Sequence, residues 1–133
     1  MGRALSVLDA SVLIALLDEA DAGRVVAREA VARSQVDHDL LIPFTAFSES
    51  IVAPYRRSRR DGQRAEEALA SLGRLVEVTR DIASQAAQLR ATRQIKLPDA
   101  LILATAAIVS ADQILTLDQR WRGVDRRVRL LKP

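Results

Sequence analysis

Cysteine is absent from the 133 residues, which excludes disulfides, thiol nucleophiles and cysteine-ligated zinc and fits a reducing compartment. Histidine occurs once, as His38 in the polar stretch "SQVDHD". It reads as a surface loop residue, so a Ser-His-Asp triad has little support. The five glycines form neither G-x-x-x-x-G-K-[ST] nor G-x-G-x-x-G, and neither kind of nucleotide-phosphate cradle is expected. Long apolar runs are missing too. The stretch Leu101 to Ile108 is broken by Thr105 and falls far short of the roughly 20 residues of a membrane span.

The start of the chain shows no basic segment followed by an apolar leader core, so the expected location is cytoplasmic. "MGRALS" matches the acylation pattern M-G-x-x-x-[ST]. Leu5 and Ser6, however, already belong to the first apolar segment, and the match is read as chance. Aromatic residues make up only 3%. The single Trp121, between Arg120 and Arg122, offers either a base-stacking surface or core packing, and packing is the reading adopted.

What the chain does contain is apolar mass: 49% of its residues, enough for one domain over residues 1–133 with a real core. Net charge is +3, and 18 of the 20 basic residues are arginine, the side chain best suited to bidentate phosphate contacts. Basicity is densest in "YRRSRRDGQR", where Arg56, Arg57, Arg59, Arg60 and Arg64 stand. Such a run is either a solvated helix end or a patch that tracks a nucleic-acid backbone.

The order of elements follows from periodicity. Leu5 to Leu8 reads as a buried strand ending at Asp9. A helix over about Ser11–Leu17 follows, and a second runs from Arg24 to Arg33. "LLIP" is a short strand closed by Pro43. Thr45 is placed to cap the next helix, which ends near the arginine cluster around Asp61-Gly62. A further helix spans Gln63–Leu72, and "RLVEVT" is a strand. Helices "DIASQAAQLRATRQ" and "KLPDALILATAAIV" come next, then strands "QILTL" and "RVRLLK". Strands alternating with helices predict an α/β domain with a parallel sheet.

Four carboxylates have apolar surroundings. Asp9 follows the first strand directly, and Asp118, in "ILTLDQRW", ends the fourth in the same way. All strands of a parallel sheet end on one edge, where open α/β sheets bind ligands. If these two strands are neighbours, about 5 Å separates their axes and the two aspartates nearly touch. Asp99 follows Pro98 at the start of an apolar helix, where the dipole favours negative charge. Glu49 lies one turn into the helix after "LLIP". Each has an ordinary alternative: a cap, a turn, a first-turn acid, a solvated side chain. Their shared placement on one sheet edge favours a site.

Clustered carboxylates raise one another's pKa, and a bound cation relieves the repulsion. Oxygen-only ligands favour Mg²⁺ or Mn²⁺, ions that commonly serve phosphate chemistry. Ser11 and Thr116, two residues from Asp9 and Asp118, are placed to orient a carboxylate or a bound water, and capping is an equally good role for Ser11.

"VLDASVLIALL", "FTAFSES", "LPDALILATA" and "ILTLDQRW", in this order, resemble the PIN-domain family, and especially the VapC-type toxins of bacterial toxin–antitoxin pairs. The resemblance spans nearly the whole chain; the first and third motifs are the specific ones. It implies a three-layer α/β/α fold around a central parallel sheet of about five short strands. It further implies a Mg²⁺- or Mn²⁺-dependent endoribonuclease whose pocket is formed by Asp9, Glu49, Asp99 and Asp118. Asp9 and Asp99 would be the principal metal ligands. Glu49 would complete the shell or orient the attacking water, and Asp118 would act behind them or hold a second ion. Ser11 and Thr116 match hydroxyl positions that accompany these acids. The fourth motif departs from the family pattern in having Trp121 close behind the acid, which weakens the assignment of Asp118. The same resemblance implies a homodimer neutralised by a small antitoxin. In it the arginine cluster either holds the RNA backbone or meets one of those protein partners.

Two other readings stay open on the sequence. One is a module of the same fold that binds RNA or protein without catalysis. The other is a phosphoacceptor domain, disfavoured because Asp9-Ala10-Ser11 is not D-x-D and the only late lysine is Lys132.

Overall fold

The computed structural model describes residues 2–133; Met1, where the acylation pattern begins, lies outside them. Five strands form one parallel sheet. They are β1 (Ala4–Leu8), β2 (His38–Pro43), β3 (Arg74–Val76), β4 (Gln113–Thr116) and β5 (Val128–Leu130). Six helices connect them: α1 (Ala10–Leu17), α2 (Arg24–Ser34), α3 (Phe44–Arg57), α4 (Arg59–Leu72), α5 (Arg80–Thr92) and α6 (Leu97–Ile108). A single 3₁₀ turn covers Gln119–Trp121. The expected α/β class with a central parallel sheet is the one observed.

Strand order is β3-β2-β1-β4-β5. The chain therefore builds outward from β1 in one direction, then returns to build outward from β4 in the other. Right-handed crossovers place α1 to α4 on one face and α5 and α6 on the other. Parallel strands covered on both faces are apolar on both, and Val7, Leu8, Leu41, Ile42 and Ile114 are fully buried. Helix α6 has almost no polar face, because Ala100 and Ile102 to Ala106 are all buried. Small residues let α5 and α6 pack closely: Ile82 and Ala86 meet Ala100 and Ala104. Trp121, 3% exposed, belongs to the main core, in agreement with the packing reading.

Three local expectations are corrected. Thr45 does not cap α3. The helix begins two residues earlier than such a cap would set it, with Pro43 at the cap position and no side-chain cap. The break in the arginine segment falls at Ser58, not at Asp61-Gly62: Ser58 is extended and its Oγ accepts a hydrogen bond from Asp61 N at 3.0 Å. A serine can cap a helix and an arginine cannot, so the cap decides the boundary. His38 is not a surface loop residue. It opens β2, and its Nδ1 lies 2.6 Å from the Oγ of fully buried Ser6, to which Gln113 Nε2 also donates at 2.7 Å.

Gly62 explains how α3 and α4 form a tight hairpin. A Cβ there would collide with the ring of Tyr55, whose hydroxyl donates to Glu66. We expect Gly62→Ala to cost about 1–3 kcal/mol, the usual penalty for overpacking. A lowered urea midpoint with an unchanged slope is the signature to look for.

Candidate active site

The reversal of strand order between β1 and β4 leaves a crevice outside their carboxyl ends, the position where open α/β sheets bind ligands. Leu8 is paired with Leu115, so the next residues along, Asp9 and Thr116, stand side by side at its floor. Asp9 is 4% exposed. It occupies the N-cap position of α1 but makes no side-chain cap bond, so the capping explanation fails. Instead its Oδ2 accepts from Ser11 Oγ and from Thr116 Oγ1, each at 2.8 Å.

Each hydroxyl has one proton, and both protons are committed to Asp9. Their oxygens then act as acceptors, Ser11 Oγ from Leu117 N at 2.9 Å and Thr116 Oγ1 from Asp118 N at 3.0 Å. The 3.3 Å approach between the two hydroxyls is therefore a contact, not a further bond. This network fixes the Asp9 carboxylate on one oxygen and ties the loop after β4 to the start of α1. Ser11 serves the carboxylate rather than the helix end.

Glu49 and Asp99 reach the same crevice from two helices. Helix α3 begins directly after β2, so its first turns stand at the carboxyl edge. Helix α6 feeds β4, so it too begins at that edge, with Pro98 in its first turn. Although much of Glu49 is exposed, partial burial and the charges of Asp9 and Asp99 raise its pKa. Burial and the charge of Asp9 likewise raise that of Asp99, against the pull of Arg120 and Lys96. The three acids thus feel one another, and Arg120 and Lys96 offset the repulsion at Asp99 only in part.

Asp118 behaves differently. Strand β4 ends at Thr116, and Asp118 caps the 3₁₀ turn by accepting from Arg120 N at 2.9 Å. Both its oxygens also accept from the Arg120 side chain, at 3.1 Å from Nε and 2.7 Å from Nη2. That guanidinium holds the Asp118 carboxyl below its ordinary value. The expected near-contact of Asp9 with Asp118 is replaced by Asp9 with Thr116, because β4 stops two residues earlier. Arg120 is the residue the sequence reading missed at this site. The signal was present, an arginine two residues beyond a turn-capping aspartate.

Among the described residues, no three histidines, cysteines, aspartates or glutamates are arranged to enclose a metal ion on their own. The donors available are all carboxylate oxygens, and Mg²⁺ is typically held by one or two carboxylates with waters and substrate phosphate. Asp9 and Asp99 would supply such a pair, with Glu49 beside them.

The arginine cluster is not part of this crevice. Arg56 and Arg57 end α3, whereas Arg59, Arg60 and Arg64 belong to α4, and all five are exposed. Arg57 Nε donates to Asp61 at 3.3 Å. Arg57 and Arg64 line a separate cavity of about 480 Å³ with Asp18 and Glu19. From Glu49 to Arg57 is about 12 Å along the axis of α3.

Among the described residues no helix is long and apolar enough to cross a membrane. The sequence was compared with curated proteins without a match. Solved structures gave several. A toxin–antitoxin complex from Klebsiella pneumoniae contains a chain 27% identical, covering 93% of this chain and 95% of that one, with a TM-score of 0.77. The toxin VapC20 of Mycobacterium tuberculosis, described as cleaving the sarcin–ricin loop, is 20% identical, with coverage of 90% and 94% and a TM-score of 0.72. VapBC2 of Rickettsia felis, bound to promoter DNA, shares only 10% identity but covers 96% and 99% with a TM-score of 0.80. The PIN domain family matches residues 6–127; the chain belongs to the PIN-domain family and has the fold of its VapC toxins.

Proposed function

We propose that this protein is a metal-dependent endoribonuclease toxin, neutralised by a cognate antitoxin and working in the cytoplasm. The observation that carries the reading is the convergence of Asp9, Glu49 and Asp99 on the β1–β4 crevice, with their mutual repulsion only partly offset by Arg120 and Lys96. A fold that keeps such a cluster sustains a cost in stability, and a cation is the usual compensation. Perturbed carboxylates in a cleft are also where catalytic groups are found. Membership of a nuclease family and likeness to toxin–antitoxin complexes support the same assignment.

In this reading Asp9 and Asp99 would hold Mg²⁺ or Mn²⁺, and such an ion would supply Lewis acidity toward a phosphoryl oxygen and the attacking water. Ser11 and Thr116 keep the Asp9 oxygen in place, as outer partners of metal-binding carboxylates do. Glu49, with its raised pKa, is suited to accept a proton from the attacking water. Asp118 anchors Arg120 at the mouth, where that guanidinium meets the strand's phosphates. Hydrolysis in line leaves a 5′-phosphate and a 3′-hydroxyl. The arginines of α3 and α4 extend the phosphate track, and the chain works as a homodimer.

Incubating the protein with a panel of structured RNAs in Mg²⁺, Mn²⁺ or EDTA tests this. Cleavage with either metal and none with EDTA is expected. No cleavage of any RNA, together with no binding of Mn²⁺, would overturn the enzyme and leave a binding module of the same fold.

A further inference from the structure

Beside the acidic crevice lies a smaller cavity of about 180 Å³. Its walls are apolar: Leu103 of α6, the core residue Trp121, and the half-buried Ile95 and Val124. Its rim is polar, with the Gln94 amide, the cations Lys96 and Arg120, and Asp99. Asp99 therefore belongs to both spaces. One side is braced by Arg93 Nη2, which donates to Val124 O at 2.8 Å, so the loop before α6 and the turn after the 3₁₀ segment are joined.

An occupant of this cavity has to be apolar on its faces and able to hydrogen-bond at its edge, where the Gln94 amide can both donate and accept. Lys96 and Arg120 at the opening favour an anionic tether, against the charge of Asp99 on the same rim. Arg120 commits Nε and Nη2 to Asp118, and Nη1 is left for a phosphate oxygen. A nucleobase of single-stranded RNA meets all three conditions, and RNA recognition commonly works by lodging unstacked bases in this way. An apolar side chain of a protein partner meets only the first.

We infer that this cavity receives one unpaired base of the RNA, the base adjoining the scissile phosphate, and so contributes to the choice of cleavage site. The inference rests on the nuclease reading and deepens it. Trp121 acts as a wall and not as a stacking platform, because its ring is packed in the core. Gln94 reads the base edge, and Val124 sets the depth of the cavity.

The test uses the full chain and four single-stranded RNA homo-octamers, with a single abasic site walked through the tightest binder. Affinity is read by fluorescence anisotropy in Ca²⁺, and the cut position is mapped separately in Mn²⁺. One abasic position next to the cut bond is expected to weaken binding about 2- to 10-fold, the range for losing one net hydrogen bond. Val124→Phe, which fills the cavity, is expected to weaken the intact octamer and erase the difference at that position. Gln94→Ala, at an exposed residue that leaves the fold alone, is expected to change the ranking of the four bases.

Equal affinity for every abasic position, with cleavage still metal-dependent, overturns the base pocket and leaves the nuclease standing. Unchanged RNA affinity in a folded Val124→Phe overturns it as well and returns the cavity to a protein partner's side chain. If Val124→Phe fails to fold, an unchanged base ranking in Gln94→Ala overturns the pocket by itself. Absence of both RNA binding and cleavage overturns the nuclease reading and the pocket with it.

Discussion

Asp9→Asn is expected to lower metal-dependent RNA cleavage by more than about 100-fold while leaving the protein folded. Loss of an outer partner of a metal ligand costs about 10–100-fold, and the ligand itself carries more. The amide is almost the same shape as the carboxylate, and its carbonyl oxygen can still accept from Ser11 and Thr116, which now both donate to Oδ2. What disappears is the negative charge. Asp9→Ala differs in kind, because both hydroxyl protons lose their acceptor at a buried position, and a lost buried partner costs about 1–3 kcal/mol. The pair separates chemistry from folding. Cleavage assays and thermal unfolding of both variants check it. An active Asp9→Asn removes Asp9 from the reaction, whereas loss of stability equal to that of Asp9→Ala makes Asp9 a structural residue.

The second large effect is a reversal of stability. Asp99→Asn is expected to raise the unfolding temperature of the metal-free protein at pH 7, yet to abolish the stabilisation that divalent metal gives the wild type. The sign follows from linkage. The folded-state pKa of Asp99 is raised, by burial and by the charge of Asp9. Stability from such a group is complete below its unfolded value of about 3.9 and is lost as pH rises through the folded value. At neutral pH the ionised carboxylate therefore works against the fold, and the uncharged amide does not. Glu49 contributes with the same sign. The dipole of α6 opposes the effect, since it favours a first-turn anion by about 0.3–1 kcal/mol. Burial and the charge of Asp9, which raise the pKa of Asp99 against the pull of Arg120 and Lys96, are expected to outweigh it.

Metal restores the balance for the wild type alone: a ligand at 100 times its Kd adds about 2.7 kcal/mol. Asp118 provides the control of opposite sign. Its pKa is lowered by Arg120, so its contribution is present above the unfolded value and lost as pH falls. Asp118→Asn should accordingly lower the unfolding temperature at pH 7. Scanning calorimetry of the three proteins with EDTA and with Mn²⁺, at pH 4 and pH 7, shows all of this. A metal-free Asp99→Asn less stable than wild type at pH 7 would mean that the dipole dominates and that the crevice stores no repulsion.

How far the residues themselves announced this arrangement differs from element to element. Strand β1, α1 and α6 were legible because a fully apolar segment can be satisfied only by burial, and the start of α6 was marked by Pro98. The acids were legible for the converse reason, as charges among apolar neighbours. Other features turned on partners distant in the chain. Nothing near His38 in sequence points to Ser6, and nothing near Thr116 points to Asp9; each pair is joined only by strand pairing. The boundary between α3 and α4 was misplaced because a charge run has no periodicity to read, and the Ser58 cap is a single hydroxyl. Gly62 became intelligible only against the ring of Tyr55 on the neighbouring helix.

By itself the sequence determined the α/β class, the order of strands and helices along the chain, and which carboxylates had no local reason to be buried. Those properties depend on hydrophobic period and on the cost of burying charge, both of which act over a few residues. Only the tertiary structure decided that β1 and β4 lie side by side, that Thr116 rather than Asp118 meets Asp9, and that Arg120 takes Asp118 for itself. It alone set the arginine cluster apart from the crevice and opened an apolar cavity beside Asp99. Those outcomes depend on which strand ends become neighbours and on where each strand stops, and a shift of two residues at the end of β4 exchanges one partner of Asp9 for another.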